Sequence, residues 1–167
     1  GDFINRGIIA YRRHNYRGAL ADYTQAVKIA PNDADCYYNR GIMRQEVGDY
    51  NNALDDLNKA ISLAPHKTEM RYQRGLIHMQ LRKWENVISD MDSLIAKYPY
   101  FLPSYYLAAQ AKEQTGKQAD AFRYRQKAQD LEQRKDEIQA QQAMTPNTDI
   151  LIADAQPQKK DHRKEFS

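Results

Sequence analysis

Apolar residues recur along this chain at spacings of three and four, and the spacing restarts every 34 residues. Tyr16, Ala19, Tyr23 and Ala26 are followed by Tyr50, Ala53, Leu57 and Ala60, then by Trp84, Val87, Met91 and Leu94. That is one stripe of a 3.6-residue helix, and the period-two alternation of a strand is nowhere sustained. A further column of small residues, Gly7, Gly41, Gly75 and Ala109, precedes each stripe, and Pro31, Pro65 and Pro99 follow it. Small columns let two helix backbones approach, the large column Tyr23, Leu57, Met91 fills the space beside them, and proline stops the second helix. Each unit is therefore expected to be an antiparallel helix pair. In the second unit the helices are expected over about 33–48 and 50–63, with the turn at Gly48 and Asp49. A pair of this size cannot bury its own apolar stripe, so consecutive pairs must stack on one another.

These columns resemble the tetratricopeptide repeat family, in step through three units and over roughly residues 3 to 130. The resemblance implies an all-α fold, a right-handed superhelical solenoid of stacked antiparallel helix pairs. Its units would be 2–31, 32–65, 66–99 and a partial fourth over 100–143. The fourth departs from the pattern, with Gln118 and Arg125 where large apolar residues belong and no closing proline. From Phe122 the helical pattern runs on to about Met144 with sparse apolar positions at Phe122, Ala128, Leu131 and Ile138. This stretch is expected to be a long C-terminal capping helix, packed on the last repeat at its start. Residues 144–167, with Pro146, Pro157 and a charged end, read as a flexible tail or linker.

Composition narrows the class. The 167 residues are 41% apolar and 28% charged, and no run is apolar enough to span a bilayer, so a soluble chain is expected. Lys and Arg number 25 against 22 Asp and Glu, a net charge of +3 with the signs interspersed, which implies no strongly charged partner. The single cysteine, Cys36, cannot form an internal disulfide and leaves the compartment open between cytoplasm and periplasm. The chain opens at Gly1, Asp2 and Phe3 already inside a helical pattern. It is read as a fragment, with Gly1 a tag remnant and any targeting segment removed.

Candidate chemistry is sparse. His14, His66, His78 and His162 are scattered and none has a ligand partner three or four residues away, so no metal is expected. Phosphate-binding glycine loops, metalloprotease helices and nucleophile elbows are absent, and no catalytic or cofactor site is expected. Cys36, near the start of its helix, is read as an inert small residue rather than a thiolate. Arg6, Arg40 and Arg74, each just before a column glycine, are followed sixteen residues later by Asp22, Asp56 and Asp90. Each Arg and Asp could form a structural bidentate pair, within a unit or across the next unit boundary.

The resemblance also implies a concave groove lined by the first helices. Carried over residue by residue, the lining would be Tyr38, Tyr72 and Tyr106 beside Ile42, Leu76 and Met79, with Asn39 and Gln73 as hydrogen-bonding rungs. Its guest would be a peptide or helix of another protein, making the chain a non-catalytic scaffold. The family's clamp for a two-carboxylate chaperone tail is missing, because Ile4, Ile8, Glu69 and Gln73 replace its basic and amide residues and only Asn39 matches. Two other readings stand beside this one. Self-assembly would use an exposed end carrying Phe3, Ile4, Ile8 and Ile9, giving a homo-oligomer or a module of a longer protein. Single-stranded nucleic-acid binding would use Arg12, Arg13, Arg17, Arg44, Arg82 and Lys83, although no basic code recurs in each unit.

Overall fold

The computed structural model describes residues 1–144, and these contain nine helices and no strand. They divide into two units, Gly1–Leu81 and a second that begins at Arg82. The first holds α1 (Asp2–Arg12), α2 (Tyr16–Ile29), α3 (Ala34–Glu46), α4 (Tyr50–Leu63) and α5 (Thr68–Gln80). The second holds α6 (Trp84–Lys97), α7 (Leu102–Gln114), α8 (Gln118–Gln133) and α9 (Lys135–Met144). Within each unit every helix packs on its neighbours in sequence, which is how a stacked repeat covers each apolar stripe.

The helix ends follow from the repeating residues. Tyr16, Tyr50, Trp84 and Gln118 each open a second helix, and α2, α4 and α6 stop two residues before Pro31, Pro65 and Pro99. The intervening Ala30, Ala64 and Tyr98 leave the helical region, with φ of −126°, −139° and −128° and ψ near 70°. Crowding by the following proline ring accounts for this. No such proline follows α8, and it runs on to Gln133.

The turns inside the hairpins recur as strictly. His14, Gly48, Arg82 and Gly116, spaced by 34, all have positive φ, of 57°, 83°, 56° and 77°. At three of these turns the next N–H reaches back to a helix carbonyl: Asn15 to Ala10 at 2.7 Å, Asp49 to Arg44 at 2.8 Å and Lys117 to Lys112 at 2.9 Å. This closure satisfies carbonyls that the ending helix leaves open. Glycine adopts the left-handed conformation freely, whereas His14 and Arg82 bear the steric penalty of a Cβ.

Close approach builds the core. A Cβ on Gly7 would stand 2.7 Å from the Tyr23 ring, and one on Gly41 would collide with Leu57 and lie 3.1 Å from Asp56 Cβ. Around these contacts the first unit buries Ile4, Ile8, Tyr23 and Met43 in one cluster and Tyr38, Leu54, Leu57, Ile61 and Ile77 in another. The second unit buries Leu102, Tyr105, Ala128, Leu131 and Ile138 together.

Two expectations for the C-terminal region need adjusting. The helical path from α8 into α9 is interrupted at Arg134, although hydrogen bonds run through it, Arg134 N–H to Asp130 at 3.2 Å and Ile138 N–H to Arg134 at 2.9 Å. Phe122 does not pack on the last repeat. It is 65% exposed, because Ala121, Ala128, Leu131 and Ile138 form the buried stripe and Phe122 lies about 100° around the helix from Ala121. The stretch read as a tail lies, beyond Met144, outside the described residues.

Replacing His14 or Arg82 by Gly should raise stability by about 0.5–1 kcal/mol each, and Gly48→Ala should lower it by a similar amount. Urea midpoints that shift in these directions with unchanged slopes would bear this out.

Candidate functional site

The repeated Arg and Asp pair differently in the first two hairpins. Arg40 grips Asp56 with two donors, Nε to Oδ2 at 3.0 Å and Nη2 to Oδ1 at 2.8 Å. Arg44, one turn further along α3, donates to the same Oδ2 at 2.8 Å. The Asp56 side chain is only 4% exposed, so two guanidinium groups replace its water shell. Arg6 meets Asp22 at a single 3.5 Å contact and is itself 64% exposed, a weak arrangement. Arg74 donates to Asn58 at 3.1 Å, and Asp90 is buried. Arg44 was not among the expected pairs, but its place four residues after Arg40 puts it on the same helix face.

Another bond recurs at a second pair of positions. The Tyr37 hydroxyl donates to the Pro31 carbonyl at 2.9 Å, and Tyr105 does the same to Pro99 at 2.7 Å. A tyrosine six residues after a unit's proline is the signal, and it ties α3 and α7 to the end of the preceding second helix, whereas α5 carries Arg71 at that place.

The residues assigned to the groove fall into three depths. Tyr38 and Asn39 on α3 and Tyr72 and Gln73 on α5 are buried, Ile42, Leu76 and Met79 are half-buried, and Tyr106 on α7 of the second unit is exposed. Burial pushes the Tyr72 phenol above its ordinary pKa. Gln73 Nε2 donates to Gln45 Oε1, joining α5 to α3. Both polar atoms of the Asn39 amide, which is 0% exposed, have no hydrogen-bond partner, and neither does Gln73 Oε1. Ile42 follows Tyr38 by four residues on α3, and Leu76 follows Tyr72 by four on α5, so each pair shares a face.

Other candidate residues are placed plainly. Of the apolar residues expected at an exposed end, Ile4 and Ile8 are buried, Phe3 is half-buried and Ile9 is 49% exposed. Cys36 is buried, and that burial, with Asp33 and Asp35 adding negative charge, pushes its thiol up to about 11. It is therefore protonated at neutral pH and is not a thiolate nucleophile. Among the described residues no group of three or more His, Cys, Asp or Glu converges as a metal site, and no helix is long and apolar enough to cross a membrane.

Comparison with known proteins agrees with the hairpin geometry. The tetratricopeptide repeat family matches over residues 7–71. No curated protein matches the sequence. A crystal structure of MamA superposes with a TM-score of 0.75 at 22% identity, over 81% of this chain and 79% of that one. MamA from residue 41 onward, from Desulfovibrio magneticus RS-1, gives 0.72 at 23% identity over 77% and 73%. YrrB, described as a TPR protein with an unusual peptide-binding site, gives 0.69 at 20% identity over 75% and 64%. At such identities the likeness is one of fold.

Two outcomes follow from the buried charges. Arg40→Met should cost about 1–3 kcal/mol, Arg40→Met with Arg44→Met about 3–5 kcal/mol because Asp56 is then stranded, and Arg6→Met under about 1 kcal/mol, all read by denaturant unfolding. Stability should hold steady up to about pH 9 and fall above it. The unfolded chain ionises Cys36 near 9.0 and tyrosine near 10.0, whereas the folded chain holds the thiol and Tyr23, Tyr72, Tyr105 and Tyr124 protonated to higher pH. Melts across alkaline pH would check the sign, and Cys36→Ala should remove the first part of the decline.

Proposed function

We propose that this tetratricopeptide repeat protein is a non-catalytic scaffold that holds an extended peptide of another protein along α3 and α5. Protein–protein interaction is the general role of the fold. The observation that carries the reading here is that Ile42, Leu76 and Met79 stand half-buried on two successive first helices, where they can supply apolar contact to alternate guest side chains. Tyr38, Asn39, Tyr72 and Gln73 back them from within the core. Glu69, in the first turn of α5, disfavours a guest that presents a terminal carboxylate there. Self-assembly through α1 has less support, since Ile4 and Ile8 are buried and Ile9 is the one of its four expected residues that is well exposed.

Random-peptide display against the full chain tests this reading. Ile42→Glu with Leu76→Glu should weaken the selected peptides by more than about tenfold. Asn39→Leu, a change that no guest touches, should leave their affinity within about twofold and the melting temperature unchanged or raised, because the amide makes no bond to lose. Peptides that bind the Ile42 and Leu76 double variant as well as they bind the parent chain would place recognition elsewhere.

A further inference from the structure

The fourth hairpin breaks the repeat at the place where the second is most tightly closed. Shifted by 68 residues, Arg40 becomes Ala108, Arg44 becomes Lys112 and Asp56 becomes Tyr124. The carboxylate that two guanidinium groups share in the second hairpin is thus lost, while a cation is kept. What stands there in the second unit is an open cavity of about 390 Å³ between α7 and α8, lined by Tyr105, Lys112, Asp120, Arg123, Tyr124 and Lys127.

Its charge is unbalanced. Asp120 alone among the lining residues is acidic, and it meets Arg123 at 2.9 Å and Lys112 at a looser 3.6 Å. The Lys112 side chain is only 15% exposed, and the cation lies at the loose 3.6 Å from Asp120. Lys127 is exposed. Among the lining residues three cations stand against one anion, and the nearby Asp92 carboxylate is bonded to the Tyr124 hydroxyl. The remaining lining is aromatic, and both phenol hydroxyls are already committed, Tyr105 to the Pro99 carbonyl and Tyr124 to Asp92. Rings therefore present apolar surface between the cations.

We propose that this cavity is a second binding site, for an acidic peptide segment that carries an apolar residue. The carboxylates pair with Lys112, Arg123 and Lys127 at the rim, and the apolar side chain lies against Tyr105 and Tyr124. None of its lining residues belongs to α3 or α5.

The probe is a fluorescein-labelled peptide, Glu-Glu-Phe-Glu-Glu-Leu, followed by anisotropy with the full chain. Binding should appear at low ionic strength and fade in about 0.5 M salt. Arg123→Glu with Lys127→Glu should weaken it by about tenfold or more, with the thermal melt unchanged because both side chains are exposed. Asp120→Asn should tighten it, an effect that a purely structural role for Asp120 would not produce. Arg13→Glu with Arg17→Glu makes the same change of net charge outside the cavity and should leave affinity within about twofold. The proposal is overturned by no binding, by an equal loss in the Arg13 and Arg17 variant, by weaker binding in Asp120→Asn, or by inorganic phosphate displacing the peptide at equal concentration.

Discussion

The distance between the two helices of a hairpin governs the rest of this structure, and glycine sets it. Gly41 on α3 has no room for a Cβ beside Leu57 on α4, so the two backbones lie as near as a leucine side chain permits. Arg40 immediately precedes the glycine and Asp56 immediately precedes the leucine. The same approach that buries Leu57 therefore brings a guanidinium within two-donor reach of a carboxylate and shields both from water. Gly7 and Tyr23 repeat the contact between α1 and α2, and Arg6 and Asp22 again stand one residue before it. There Arg6 is mostly exposed and the pair is loose, so backbone approach supplies the geometry while burial decides its worth.

Much of the fold was legible because it is periodic. Residue size recurring at 34 marks which positions touch, and the proline column marks where each second helix stops, since the residue before proline is driven out of the helical region. The observed α4 coincides with the expected 50–63, and α3 begins one residue inside the expected start because Asp33 serves as its cap, its side chain accepting from the Asp35 N–H. The turn column was harder to read. Gly48 and Gly116 announce a left-handed turn, but His14 and Arg82 adopt it too, held there by helices on either side. Tertiary packing overrides the local preference of two residues that no turn rule would have selected.

Depth is what a column does not disclose. Tyr38 and Tyr72 share a column that suits a groove wall, yet both are buried, while Tyr106 in the same column is exposed. A stripe gives an angle about the helix axis, and exposure depends also on what the adjoining helices place over it. Phe122 failed for the complementary reason: its neighbour Ala121 occupies the buried face, and one residue of rotation carries a large ring into solvent. Arg44 was missed because pairwise spacing was sought, whereas a buried carboxylate has lone pairs enough for two guanidinium groups.

A repeat protein keeps its scaffold by repeating and acquires chemistry where it does not. Gly41 and Leu57 can vary little without parting the helices, but the residues beside them have more freedom so long as each buried polar group is answered. In the column of Asn39 the chain carries Gln73 and then Leu107, passing from amide to aliphatic as the first helices succeed one another. In the columns of Arg40 and Asp56 it passes to Ala108 and Tyr124, and the closed ion pair of one hairpin gives way to an aromatic, cation-rimmed cavity in another. Neither change disturbs the helix pair that carries it, since α7 and α8 still pack along their length and bury Ala108 completely. Specificity in such a chain is therefore to be sought in the departures from the column, read against the geometry that the column holds constant.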